Sequence, residues 1–311
     1  MDSLGIATTS LSLQASKALD RLAESLTQGN TYEGHEMLKT AYYRFRSKKK
    51  MDDGYDLCLY GSLLHFKKGD FQCGVELATM LLDAYVDDAV PVSTESRRRL
   101  KVLLGQFPHI DENIDVVNAM QQIKHRSLKW LSRMKGSEED KEMVYLKSGL
   151  FTSEVLGWKG MGVALPDIIR SGDTDRLYSV IEKSLQVASP LDKDLIIARS
   201  ILHVLEYTPQ SKKTRAFSMA YGLYSTYGEE QHSLSDSIAQ CAYYVVKALE
   251  RGSRDLTGIA IEALRKRVEG LDPSICDVAE ELIHIYCKPD PRQMGQDPFG
   301  SIFQTLLRGG G

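Results

Sequence analysis

The sequence predicts an all-α protein, an irregular α-solenoid of stacked antiparallel helix pairs of the tetratricopeptide-like kind. Three observations carry this reading. Apolar residues recur at helical spacing along most of the chain, helix-stop and helix-start residues return after forty residues, and no convincing set of alternating strand segments appears.

Taken in order, the first helix starts near Leu11 and carries Leu19, Leu22 and Leu26 on one stripe. Gly29-Asn30 ends it and starts the next. Gly suits the left-handed position after a helix, Asn30 suits an N-cap, and Glu33 stands where a capping box wants a carboxylate. Over 33–47, Met37, Leu38, Ala41, Tyr42 and Phe45 share a face, the mark of an amphipathic helix. "GNTYEGHEML" at 29–38 is then echoed by "GDFQCGVELA" at 69–78, matching Gly29 with Gly69, Asn30 with Asp70 and Glu36 with Glu76. One helix pair cannot bury both its faces, so a two-helix unit of this length implies stacking. Gly172-Asp173 and Gly252-Ser253 repeat the signal, and helices are predicted over 115–134, 141–157, 174–188, 191–207, 212–227, 235–250, 254–268 and 275–287. The stripe Ile238, Cys241, Ala242, Val245, Val246 and Leu249 reads as core. The W-x-x-L-G pattern of tetratricopeptide repeats is absent, which makes the solenoid irregular.

With 311 residues, 42% of them hydrophobic, the chain can bury the core of one or two domains. Lys and Arg total 39 against 42 Asp and Glu, without the basic excess of a dedicated nucleic-acid domain. Five cysteines, an odd number without a CxxC pair, fit a reducing cytosolic setting. The N-terminus lacks the pattern of a secretory signal, and no window offers the ~18 apolar residues of a membrane span.

Catalytic motifs are missing. "HEMLK" has Lys39 where a zinc-protease helix needs its second histidine, so His35 reads as a surface or groove residue. The other histidines, at 65, 109, 125, 203, 232 and 284, share no helical spacing that builds a metal site, and neither metal nor cofactor is expected. "GWKGMGVAL" at 157–165 has Leu165 where a dinucleotide fingerprint wants Gly or Ala, and reads as a flexible interhelical loop. With no phosphate loop and no nucleophile elbow, an interaction protein is expected rather than an enzyme.

The densest charge feature is "TAYYRFRSKKK" at 40–50, which with Lys39 brings together six basic side chains and no carboxylate. Three readings stay open: cations complementing a helix C-terminus, a patch that meets an acidic protein surface, and, least favoured because phosphate binding wants a wider basic track, a nucleic-acid contact. Arg97, Arg98 and Arg99 with Lys101 read as a solvated helix face.

The stretch from Gly29 through Leu82 resembles the Golgi-to-ER-traffic protein four family, whose N-terminal pattern G-[ND]-x-Y-E-A-H-[QE] is met by Tyr32, Glu33, His35 and Glu36, with Gly34 in the place of Ala. Arg44 and Phe45, then Gly61, Leu64, Gly74, Glu76 and Leu77, continue the likeness. "SLKWL" at 127–131 is similar to the family's K-W segment, and "KPDPRQMGQDPFGSIFQTLL" at 288–307 to its terminal region. The family's G-x-P-x-L-H motif is replaced here by "GSEEDKEMVYL".

The resemblance implies a cytosolic adaptor that does no chemistry and serves the targeting of tail-anchored membrane proteins to the ER. Helical pairs in 1–134 would face a dimeric targeting ATPase, and those in 135–311 a ubiquitin-like protein that recruits a tetratricopeptide co-chaperone, the whole forming one continuous solenoid. On this reading Tyr32, Glu33, His35, Arg44, Arg46, Lys48 and Glu76 contact the ATPase, and Phe299, Ile302 and Phe303 the ubiquitin-like partner. A different α-solenoid scaffold subunit, of a proteasome-lid-like assembly, is the alternative.

Overall fold

A computed structural model describes residues 11–228 and 237–287 of the chain. The described residues are mostly helical and contain no β-strand. Helix α1 spans Leu13–Thr27, α2 Thr31–Ser47, α3 Met51–Lys67, α4 Phe71–Asp87, α5 Thr94–Gly105, α6 Ile114–Arg133, α7 Glu138–Leu156 and α8 Met161–Ser171. Then follow α9 Thr174–Val187, α10 Pro190–Tyr207, α11 Lys213–Leu223, α12 Ile238–Glu250, α13 Arg254–Val268 and α14 Ser274–Tyr286. The chain divides into two compact units between Ser171 and Gly172. None of the described helices is long and apolar enough to cross a membrane.

The first unit is built on one repeated turn. Helices α2, α3 and α4 each have 17 residues and are entered through three-residue connections whose middle residue is left-handed, Gly29 (φ 83°), Lys49 (φ 57°) and Gly69 (φ 78°); the longer connection 88–93 after α4 opens with the same turn at Ala89 (φ 50°). In each, the amide after that residue reaches five residues back: Asn30 to Ser25, Lys50 to Phe45, Asp70 to His65 and Val90 to Tyr85, at 2.9–3.0 Å. This is the Schellman closure, which satisfies a carbonyl the helix end would orphan and turns the chain antiparallel in three residues. The expected capping box at Asn30 and Glu33 is not formed, because the turn already commits the Asn30 amide and the Asn30 side chain makes no cap bond. Side-chain boxes form instead at Ser93 with Ser96, where the longer connection separates the cap from the Ala89 turn, and at Ser137 with Asp140, where the box combines with a turn at Lys135.

The predicted stripes are core. Ala15, Leu19, Leu22 and Leu26 of α1 pack with Leu38, Tyr42 and Phe45 of α2 and with Leu77, Leu81 and Leu82 of α4 around a nearly fully buried α3. Gly61 lets α3 approach closely, since a Cβ there would lie 2.3 Å from Leu38 and 3.0 Å from Leu77.

Polar contacts follow the same spacing. Bonds one helix pair apart join Arg46 to Asp88, Asp56 to Arg99, Asp83 to Arg126, Arg97 to Asp140 and Lys124 to Asp167, each 42 or 43 residues apart. The Trp130 indole donates to the Val90 carbonyl at 2.8 Å. Arg97–Arg99 are therefore not a solvated face. Arg97 forks onto Asp140 at 2.8 and 2.9 Å, Arg98 onto Glu95, and Arg99, 3% exposed, donates to Asp56 at 2.8 Å and Asp52 at 3.0 Å. The stretch 157–165 is also no flexible loop. Gly157–Gly160 form a 3-10 turn and Met161 begins α8, so Gly162 is helical.

In the second unit, α10 plays the central part. Asp194, buried, accepts from the Ser237 hydroxyl at 2.8 Å and from the Ile238 and Ala239 amides at 2.6 and 3.0 Å, capping α12 from a neighbouring helix. Arg199 pairs with Asp272, and the Tyr286 hydroxyl donates to the Leu205 carbonyl at 2.9 Å. Ile238, Ala242, Val245, Val246 and Leu249 are core as expected, and Cys241 is half-buried.

Two predictions follow from these turns and pairs. Lys49→Gly removes a side chain from a left-handed position and is expected to stabilise the first unit by about 1 kcal/mol, whereas Gly69→Ala destabilises it by a similar amount. Arg99→Met strands the buried Asp56 carboxylate and is expected to cost about 3–5 kcal/mol, most of it regained in Arg99→Met/Asp56→Leu. Both tryptophans, Trp130 and Trp158, lie in the first unit, so urea unfolding followed by their fluorescence reads these changes directly.

Candidate functional site

The basic run divides by role once its helix is placed. Arg44 and Lys48 project from the last turn of α2 and line a groove of about 290 Å³ against α1, opposite Lys17 and Arg21. Gln14, Ala18, Ala41 and Phe45 complete it, with no carboxylate among the lining residues. Arg44 and Lys48 have no ion-pair partner among the described residues and are exposed. Four cations on facing helix edges, with nothing of opposite sign between them, make a concentrated positive surface over an apolar floor. Lys17 and Arg21 were not singled out from sequence; their i, i+4 spacing on the polar side of α1 is the only local signal they give.

Arg46 belongs elsewhere. It forks onto Asp88 at 2.6 and 2.7 Å, donates to the Tyr42 hydroxyl at 3.0 Å, and shares Asp88 with the Tyr55 hydroxyl at 2.8 Å. Burial pushes the Tyr42 hydroxyl up to about 12. Arg46 thus ties α2 to the end of α4, and Lys49 occupies the strained position of the turn; neither is offered freely to a partner.

His35 is buried, 2% exposed, rather than a surface residue. Its Nε2 lies 3.1 Å from Glu76 of α4, and its Nδ1 lies 3.4 Å from Nε2 of the fully buried His65 of α3. Lys39 bridges Glu36 at 3.0 Å and Glu76 at 2.7 Å, and this bond holds the Glu76 carboxyl below its ordinary range. Glu76 is therefore engaged from two sides and is not a lone surface carboxylate. Burial also pushes His65 below its ordinary value, against the pull of Asp70 at 2.9 Å. Tyr32, 77% exposed, and Glu33 stand on the solvent side of the first turn of α2. Of the seven residues grouped by sequence, the structure joins His35 with Glu76, places Arg44 and Lys48 in the groove, leaves Tyr32 and Glu33 exposed, and withdraws Arg46 into packing.

The second unit carries an exposed apolar surface on α12 and α13, with Tyr244 51%, Leu256 45% and Ile259 68% exposed. A cleft of about 980 Å³ runs beside it, rimmed by Arg254, Asp255, Glu262, Lys266 and Arg267. Phe299, Ile302 and Phe303 lie outside the described residues, as does most of 225–237.

This arrangement of helix pairs has known relatives. The family model described as Golgi to ER traffic protein 4 matches residues 48–307. Protein GET4 of Arabidopsis thaliana is 19% identical, the match covering 93% of this chain and 95% of that protein. The Golgi to ER traffic protein 4 homolog of Homo sapiens is 20% identical over 92% of this chain and 84% of its own length. The protein of that name in Schizosaccharomyces pombe reaches 30% identity over 44% of this chain and 42% of its own. The crystal structure of C. therm. Get4 superposes with a TM-score of 0.59 at 15% identity, covering 96% of both chains, and shares the helical fold. With the family pattern extending over more than four-fifths of its length, the chain belongs to the Golgi to ER traffic protein 4 family.

Proposed function

We propose that this protein is a cytosolic adaptor in the post-translational targeting of tail-anchored membrane proteins, bringing a nucleotide-loaded targeting ATPase together with a ubiquitin-like protein and its co-chaperone. Family membership supports the pathway. The observation that carries the ATPase-facing role is the groove between α1 and α2, where Lys17, Arg21, Arg44 and Lys48 face outward without a carboxylate among its lining residues. A surface of this kind attracts an acidic partner, speeds encounter and weakens with salt. The exposed apolar surface of α12 and α13 favours the second unit as the seat of the ubiquitin-like partner, since a charged rim around an apolar centre is how protein interfaces are commonly built.

The test is association of the full chain with the ATP-loaded ATPase at low and high salt. Arg44→Glu/Lys48→Glu is expected to slow association about tenfold or more at low salt and to flatten the salt dependence, with stability changed by less than ~0.5 kcal/mol. An unchanged rate and salt slope would remove the groove from the interface. Arg46→Glu, by contrast, sets a carboxylate against Asp88 and is expected to cost about 1–3 kcal/mol of stability, so a binding loss there reports misfolding rather than contact.

A further inference from the structure

We propose that His65, Asp70 and Cys73 form a site for one divalent cation of the zinc class at the turn between α3 and α4. The Nδ1 of His65, a carboxylate oxygen of Asp70 and the Sγ of Cys73 all lie within 4.8 Å of one another. Zinc bonds to such atoms at roughly 2.0–2.3 Å, so a side-chain adjustment of about 1 Å closes all three on one ion and leaves the fourth tetrahedral position for water. The backbone already fixes the chelate. The Asp70 amide donates to the His65 carbonyl at 3.0 Å in the Schellman turn, and Asp70 and Cys73 stand three residues apart on one face of the first turn of α4. That helix end complements anionic ligands. The search for histidine pairs at helical spacing overlooks this set because it spans a turn, in the order H-x4-D-x2-C.

A second observation is the hydrogen-bond accounting of the chain Glu76–His35–His65–Asp70, in which the two histidines are buried. Its three contacts, at 3.1, 3.4 and 2.9 Å, each join two atoms that are acceptors unless a proton stands between them. Two neutral imidazoles carry two protons. One pair of tautomers lets His65 Nδ1–H donate to Asp70 and leaves His35 Nε2 bare at Glu76; the other, with His35 Nε2–H donating to Glu76 and His65 Nε2–H to His35 Nδ1, leaves the bare His65 Nδ1 facing the Asp70 carboxylate. A cation at that point resolves the clash and places a lone pair of His65 where a metal needs it. His35, itself held by Glu76, then orients the ligand from behind, in the place that a carboxylate or carbonyl acceptor takes at zinc centres.

Cobalt(II) tests this in the full chain, kept reduced, because a thiolate ligand gives cobalt a charge-transfer band that zinc abolishes on displacement. One equivalent is expected to saturate the band. Cys73→Ser removes it, Cys241→Ser leaves it unchanged, and Asp70→Asn, which takes away a ligand carboxylate, weakens cobalt binding by about tenfold or more. Circular dichroism confirms that each variant is folded; Cys73 is only half-buried, so its loss is compatible with the fold. No thiolate band, or a band that survives Cys73→Ser, would overturn the site and leave an additional proton in the cation's place.

Discussion

The first unit depends on a single backbone device, the three-residue turn that places one residue in the left-handed region. With 17-residue helices between turns at Gly29, Lys49, Gly69 and Ala89, the chain reverses at regular intervals and returns in register after two helices. Side chains 40–43 residues apart therefore meet, and the ion pairs Arg46–Asp88, Arg99–Asp56 and Arg97–Asp140 are consequences of that register. The apolar stripes supply the driving force for stacking, while the turns decide which residues face one another.

The same register sorts charge into structure and surface. Cations whose partner stands one helix pair away are consumed in cross-helix bonds. Those on the outer edge of the first described pair meet no carboxylate among the residues that line the groove beside them. Arg44 and Lys48 lie on that edge with Lys17 and Arg21 and together make a free positive surface.

Much of this was legible in the sequence. Glycine at 29 and 69 marked two of the turns because glycine enters the left-handed region without strain, and the apolar stripes on α1, α2 and α12 were visible at helical spacing. Lys49 and Ala89 occupy the same conformation without announcing it, so the twenty-residue half-period stayed hidden. His35 read as a surface residue because its partners His65 and Glu76 lie 30 and 41 residues away. Arg99 likewise looked solvated when Asp56 is 43 residues upstream. What escaped local reading was each contact made across the stack; what a stretch of fewer than ten residues could decide was read correctly more often, with the Asn30 capping box a failure of that kind.

The central claim is that the open edge of the first helix pair receives the targeting ATPase. Hydrogen–deuterium exchange of the full chain, with and without the ATP-loaded ATPase, tests it most directly. Protection concentrated over residues 14–48 is the predicted result; undisturbed exchange there, with protection confined to α12–α14, would contradict it.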